Sequence, residues 1–394
     1  MHLIEKYSLE TGALIGNPEI YEKYYPCPIE GDYITNFVDQ SVSSMQYDYW
    51  EDVVSLINPT LIENNIKILN LNPSKVKDLA NLTQIDEKIE AGQVSYLIRN
   101  SLLHFGETSF CTDLASMHDV KIVSLYSMAH KECVKPYWGS PSRQILLDGL
   151  GLKEGRKPCY SNFESPKAIN SISPEEIARS ILSLLGFEFN CEYETIFTGD
   201  LYQKKSVEVI PNSVANVNFY PLSVRMDYAF NEKNLAEQIN VSEHPVSIVT
   251  DKPINENLLR ELSSKIEVVF YIIKEKDNPL FVEKLKRLKI PFKMLSYLEE
   301  EDVNDKKLNY MDLGPIYRQK SANFKEMDEL KDQKLEDLYY YSNKRLLDNG
   351  TVYLSKAGHE AKQAHDTPDD PKKLIDSEAF WKELDCFRVV RKIT

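Results

Sequence analysis

Two spacings of apolar residues take turns along the first 150 positions. Runs with the dense apolar pattern of a strand occur at YITNFV (33–38), IKILNL (66–71), LLHFG (102–106), KIVSLY (121–126) and QILLDG (144–149). Between them, apolar residues recur at helical spacing over 47–65, 94–101 and TSFCTDLASMH (108–118). The segment Ser173–Gly186 carries a full set of helix signals. Ser173 stands at the cap, Pro174 at the first turn, Glu176 three past the cap and Gly186 at the end. Strands alternating with helices predict a parallel sheet of βαβ units.

The alternation restarts after an acidic connection. Strands are expected within SVEVIPN (206–212), ANVNFYPLSV (215–224), PVSIVTD (245–251), IEVVFYII (266–273) and IPFKMLSYL (290–298). Helices are expected to end at NLAEQI (234–239) and to span 254–265 and 278–289. Beyond about residue 318 the chain turns polar, with 325–347 reading as a charged helix and SEAFWKELDCFRVV (377–390) as an aromatic piece. Residues 1–30, rich in Tyr, Pro and Gly, read as loop and short extended pairs. The expectation is therefore an α/β chain with two Rossmann-like domains, 1–190 and 191–320, and a C-terminal tail, 321–394.

Charge and cysteine content narrow the class. The 47 Lys and Arg against 61 Asp and Glu leave a net charge of −14, and no basic run supports a nucleic-acid or membrane-surface protein. The six cysteines show no C-x-x-C spacing and read as reduced thiols. The N-terminal residues lack an apolar leader core, and no apolar run reaches the roughly 20 residues of a membrane span. A cytoplasmic location is the expectation.

In an open α/β sheet, ligands gather at the carboxyl ends of strands, where helix N-termini offer free N–H groups. Four places qualify. Gly106, Glu107, Thr108 and Ser109 follow LLHF, and Ser127 follows KIVSLY. Asp39–Ser44, including Ser43 and Ser44, form a hydroxyl-rich loop after YITNF, and Asp251 follows PVSIVT. Each also has a structural reading: the Gly-x-Thr-Ser turn as plain capping, the serine loop as a surface turn, and Asp251 as a cap. His104, inside an apolar strand, reads as a core histidine. P-loop, dinucleotide and nucleophile-elbow motifs are absent, and the histidines and cysteines show no metal-ligand spacing.

The run VSYLIRNSLLHFGETSFCTDLASMHDVKIVSLYS…CVKPYWG resembles the donor-binding half of GT-B glycosyltransferases of the heptosyltransferase type. The matching positions are Leu97-Ile98, Gly106, Ser109, Leu114-Ala115, Val123, Leu125-Tyr126 and Pro136. The preceding YITNFVDQSVSSMQYDYWEDVVSLINPTLIENNIKIL resembles that family's strand, phosphate loop and Trp-containing helix. The match covers roughly residues 30–150. Met45, Thr108 and Asp113 stand where the family carries Lys, Asp and His, and the donor-like domain comes first, which implies a permuted order.

The resemblance implies two domains facing a cleft and an inverting, metal-independent glycosyltransferase that uses a nucleotide-sugar as substrate and needs no cofactor. Phosphates would meet Ser43, Ser44, Thr108 and Ser109, Glu107 would hold sugar or ribose hydroxyls, and Asp251 or Asp113 would deprotonate a saccharide acceptor. The alternative is a non-catalytic GT-B-fold carbohydrate-binding or structural protein. A DNA-modifying transferase fits the fold but not the charge.

Overall fold

The computed structural model describes residues 1–38, 42–72, 81–85, 89–150, 157–203, 205–318, 324–364 and 370–393. The chain divides into two units, Met1–Glu192 and Tyr193–Thr394. The first unit is built on six strands: β1 (Tyr33–Phe37), β2 (Lys67–Asn70), β3 (Leu82–Gln84), β4 (Leu103–Glu107), β5 (Lys121–Tyr126) and β6 (Gln144–Asp148). They pair in the order β3-β2-β1-β4-β5-β6, all parallel. That is the Rossmann order, with its reversal between β1 and β4.

Helices cover both faces of this sheet, as a parallel sheet requires. On one face lie α2 (Trp50–Glu63) and α6 (Pro174–Leu185), with Trp50 packed on Phe105 of β4 at 5.6 Å between ring centroids. On the other, α3 (Ala91–Arg99) and α4 (Phe110–Met117) bury Leu97, Ile98, Cys111 and Ala115 against Ile122. Each fully buried aliphatic side chain contributes about 1.5–3 kcal/mol. The start and stop of α6 follow its sequence signals. Ser173 Oγ accepts from the Glu176 N–H at 3.2 Å, and Gly186 closes the helix at φ 90°. The N-terminal segment, expected as loop, contains α1 (Leu3–Thr11), capped by His2 and Glu5 and ended by Gly12 in the left-handed region. A short α5 (Lys131–Val134) follows β5.

In the second unit, β7 (Tyr193–Thr198) is followed by β8 (Ser206–Val209), β9 (Leu222–Arg225), β10 (Val246–Thr250), β11 (Ile266–Ile273), β12 (Phe292–Ser296) and β13 (Ile316–Arg318). Strands β8 to β13 lie side by side in chain order, all parallel, so this sheet has no central reversal. Helices α7 (Glu232–Val241), α8 (Glu256–Leu262), α9 (Pro279–Arg287) and α10 (Glu300–Tyr310) accompany it, the last unforeseen. Val224, Ile248, Val269, Tyr271, Phe281 and Leu285 belong to its core.

The segment expected to be a polar tail is instead woven into this unit. Only Phe324–Lys331 (α11) of the anticipated long helix is helical; the rest forms β14 (Leu338–Ser342) and β15 (Lys344–Asp348), followed by β16 (Thr351–Tyr353). The physical reason is period two. Leu338, Tyr340 and Ser342 are buried while Tyr339 and Tyr341 are half-exposed. Strand β15 lies parallel to β8 and extends the large sheet. After α12 (Lys356–Glu360) come β17 (Lys372–Lys373), α13 (Glu378–Lys382) and β18 (Phe387–Lys392). Strands β17, β14, β18 and β7 form a separate antiparallel sheet, closed by stacking of Phe380 on Phe387 at 4.8 Å. No helix among the described residues is long and apolar enough to cross a membrane.

A buried charged network ties the pieces of this unit together. Arg225, at the end of β9, makes two hydrogen bonds to Asp227 (2.9 and 2.8 Å) and one to Glu208 of β8 (2.5 Å). Lys344 of β15 reaches Glu208 at 3.1 Å and Glu383 at 2.6 Å. The Arg225 guanidinium also stacks over Tyr228 at 3.9 Å.

Candidate functional site

A cavity of about 340 Å³ opens in the first unit beyond the carboxyl ends of β4 and β5. This is where helix N-termini and strand ends converge in such sheets, and its size falls at the small end of ligand pockets. Thr108, Ser109, Asp113 and Ser127 line it together. They come from three places: the turn after β4, the first turn of α4, and the residue after β5. Apolar walls are contributed by Met45, Met128, Val134 and Ile169, and by Leu3 and Ile4 of α1.

The turn between β4 and α4 is set by packing at Gly106. A Cβ there would fall inside the van der Waals shell of the Phe37 carbonyl oxygen on β1, so only glycine lets the two strands approach. The Thr108 N–H continues the ladder to the Leu125 carbonyl at 3.1 Å. Ser109 then stands at the cap of α4, and its carbonyl accepts from the Thr112 and Asp113 N–H groups at 3.0 and 3.3 Å. Its hydroxyl makes no capping bond. Ser109 Oγ is buried and has no hydrogen-bond partner.

A second such group was not anticipated from the sequence. Tyr126, the last residue of β5, is fully buried and lines the cavity. Its hydroxyl makes no well-aligned hydrogen bond, although the Ser124 and Thr108 hydroxyls lie close enough to interact with it. Burial pushes its pKa up to about 12. A buried polar group without a partner costs about 1–3 kcal/mol unless water or a ligand satisfies it. No local pattern distinguishes this tyrosine from a core residue; only the fold places it at the cavity.

Asp113 presents its carboxylate at the cavity. Asp113 is an exposed residue, and the partial desolvation of its carboxylate raises its pKa, with the nearby His2 pulling the other way. His2, also unforeseen, lines the cavity with both ring nitrogens engaged. Nδ1 accepts from the Ile4 N–H at 3.2 Å, and Nε2 lies 2.7 Å from the Lys135 carbonyl oxygen. Lys135 also lines the cavity, and its ammonium pairs with Glu132 at 2.6 Å.

The remaining sequence candidates lie elsewhere. Ser44 is buried; its hydroxyl donates to the Ser161 carbonyl at 2.5 Å, and its own carbonyl accepts from Ser127 Oγ at 3.3 Å. Ser43 shares its 3₁₀ turn and does not line the cavity. Residues 39–41 of the same loop lie outside the described residues. Glu107 points to the α2 face, where Oε1 accepts from the Trp50 indole N–H at 2.7 Å and the Tyr47 N–H at 3.0 Å. Asp251, at the end of β10 in the second unit, pairs with Lys274 at 2.5 Å. His104 is fully buried, with Nδ1 3.1 Å from Thr35 Oγ1 and its pKa lowered to about 3 by burial. None of the six cysteines forms a disulfide among the described residues, and among them no group of three or more His, Cys, Asp and Glu side chains is placed to hold a metal.

No protein-family model matches the sequence, and no curated protein sequence matches it. Solved structures do share parts of its backbone. A glycosyl transferase family 9 protein from Veillonella parvula DSM 2008 is 13% identical, with a TM-score of 0.30 over 46% of this chain and 50% of that one. ADP-heptose LPS heptosyltransferase II of E. coli is 12% identical, at 0.29 over 46% and 50%. The iron-containing dodecameric glycosyltransferase TibC from enterotoxigenic E. coli H10407 is also 12% identical, at 0.31 over 41% and 48%. The chain thus spans about half the length of each. Scores of this size leave function to the chemistry of the site itself.

Proposed function

We propose that the chain is a glycosyltransferase whose first unit binds a nucleotide-activated sugar and passes the sugar to a saccharide acceptor with inversion and without a metal. The observation that carries this reading is the cavity at the carboxyl ends of β4 and β5 in a sheet of Rossmann order, with Thr108, Ser109 and Ser127 among its lining residues and the N-terminus of α4 beside it. The N–H groups at the start of α4 would meet the diphosphate outside the cavity, in the place a metal holds in other transferases. Asp113 is the preferred base: its carboxylate reaches the cavity, and its raised pKa brings it closer to the range in which a carboxylate accepts a proton efficiently. Asp251, engaged with Lys274, is the second choice.

A non-catalytic carbohydrate-binding protein is the competing reading. It is favoured by Met45 on the cavity wall and by the pairing of Lys135 with Glu132, which engages that cation away from a diphosphate. Thermal unfolding with UDP-, GDP-, ADP- and CMP-sugars tests the binding step. A rise in Tm of several degrees with one of them supports the proposal, and no rise at millimolar concentration rejects it. Release of the free nucleotide in the presence of oligosaccharides then separates enzyme from binder.

A further inference from the structure

Two hydroxyls and one carboxylate face the same small space, and the balance of their chemistry limits what can enter it. Ser109 Oγ is buried without a partner, and the fully enclosed Tyr126 hydroxyl makes no well-aligned hydrogen bond, with only the Ser124 and Thr108 hydroxyls beside it. Asp113 supplies a carboxylate to the walls, while Lys135 is paired with Glu132 and His2 uses both ring nitrogens within the protein. A phosphate group placed here would meet a carboxylate of its own sign. A group rich in O–H and N–H donors would instead be accepted by Asp113 and would satisfy the two hydroxyls.

We infer that this cavity takes a polyhydroxylated ring, preferentially one bearing an amino group, with Asp113 accepting from its donors and Ser109 and Tyr126 completing its hydrogen bonds, while any phosphates remain outside. The inference deepens the sugar-transfer reading, on which its biological sense rests, by assigning the enclosed space to the sugar and excluding the diphosphate from it. Calorimetric titration of the full chain with glucosamine, glucose and inorganic pyrophosphate tests it. Glucosamine is expected to bind more tightly than glucose, and pyrophosphate not at all at millimolar concentration. Asp113→Asn should weaken glucosamine by about tenfold or more, the scale of one charge-assisted hydrogen bond. Tyr126→Phe should weaken both sugars severalfold without lowering the Tm of the sugar-free chain, in which that hydroxyl has no well-aligned partner.

Pyrophosphate binding to the unaltered chain, or glucosamine binding that ignores Asp113→Asn, would overturn the assignment, as would failure of both sugars to bind at tens of millimolar. The two readings fail separately. Glucosamine binding that depends on Asp113, without protection by any nucleotide-sugar, would sink the transferase and leave the cavity's ligand class standing.

Discussion

Replacing Lys344 by methionine should destabilise the second unit more than replacing Glu208 by glutamine, although the two residues touch. The buried network holds two cations, Arg225 and Lys344, against three carboxylates, Glu208, Asp227 and Glu383. It already carries one excess negative charge. Removing Lys344 leaves Glu383 without its 2.6 Å partner and raises that excess, the situation in which breaking a buried pair costs about 3–5 kcal/mol. Changing Glu208 to Gln removes the excess charge, and each cation keeps a carboxylate: Asp227 for Arg225, Glu383 for Lys344. The loss is then confined to two weakened hydrogen bonds, about 1–3 kcal/mol. Urea unfolding of both variants, followed by tyrosine and tryptophan fluorescence, reads the difference.

Acid unfolding supplies a second readout of the same network. Burial pushes the Glu208 carboxyl up, but Lys344 and Arg225 outweigh it and hold the pKa below the usual carboxylate value. A depressed folded pKa means the stabilisation is complete above the unfolded value of about 4.3 and is lost as pH falls through the lower folded one. Glu208→Gln should flatten that acid limb. Equal losses for the two variants, or a loss below about 1 kcal/mol for Lys344→Met, would refute the charge-balance reasoning.

Gly106→Ala should cost about 1–3 kcal/mol, because β1 must move to admit the methyl group; chemical denaturation measures it, and nucleotide-sugar protection should weaken with it as Thr108 and Ser109 shift. His104→Leu should remove an acid-sensitive element from the first unit. With its folded pKa near 3, His104 penalises folding progressively as pH drops from about 6.5 toward 3, so the variant's acid midpoint should lie lower, as read by circular dichroism. Trp50→Phe removes one donor from the buried Glu107 carboxylate and should lower stability by about 1–3 kcal/mol, measured by thermal unfolding.

Much of the first unit could be read from apolar spacing. Strands at 33–38, 66–71, 102–106, 121–126 and 144–149 fall within a residue or two of β1, β2, β4, β5 and β6, because buried parallel strands are continuous apolar runs bounded by turns. Strand β3, three half-buried residues long, carries too little pattern to announce itself. The second unit misled where charge composition outweighed alternation: Lys, Glu and Asp across 325–337 suggested a helix running on, while the buried Leu338, Tyr340 and Ser342 kept strand period. Thr108, Ser109 and Ser127 could be read because strand-end positions are local, and Asp113 came only from the resemblance to the heptosyltransferase type. Tyr126 and His2 were not, since one looks like a core aromatic and the other reaches the cavity only through the docking of α1. Glu107 looked like a ligand-binding acid, and only the fold shows it turned toward Trp50.

The placement of β15 beside β8 bears on how the second unit comes to be made. More than a hundred residues separate these neighbours, so β8 emerges long before the strand that covers it. Until then one edge of a growing parallel sheet stands open, a template for pairing with another chain. A protein ended at residue 320 would keep β8 to β13 and lose that cover. Such a truncated chain should aggregate even though its six parallel strands are intact, and the full chain should depend on late, long-range closure for its folding speed.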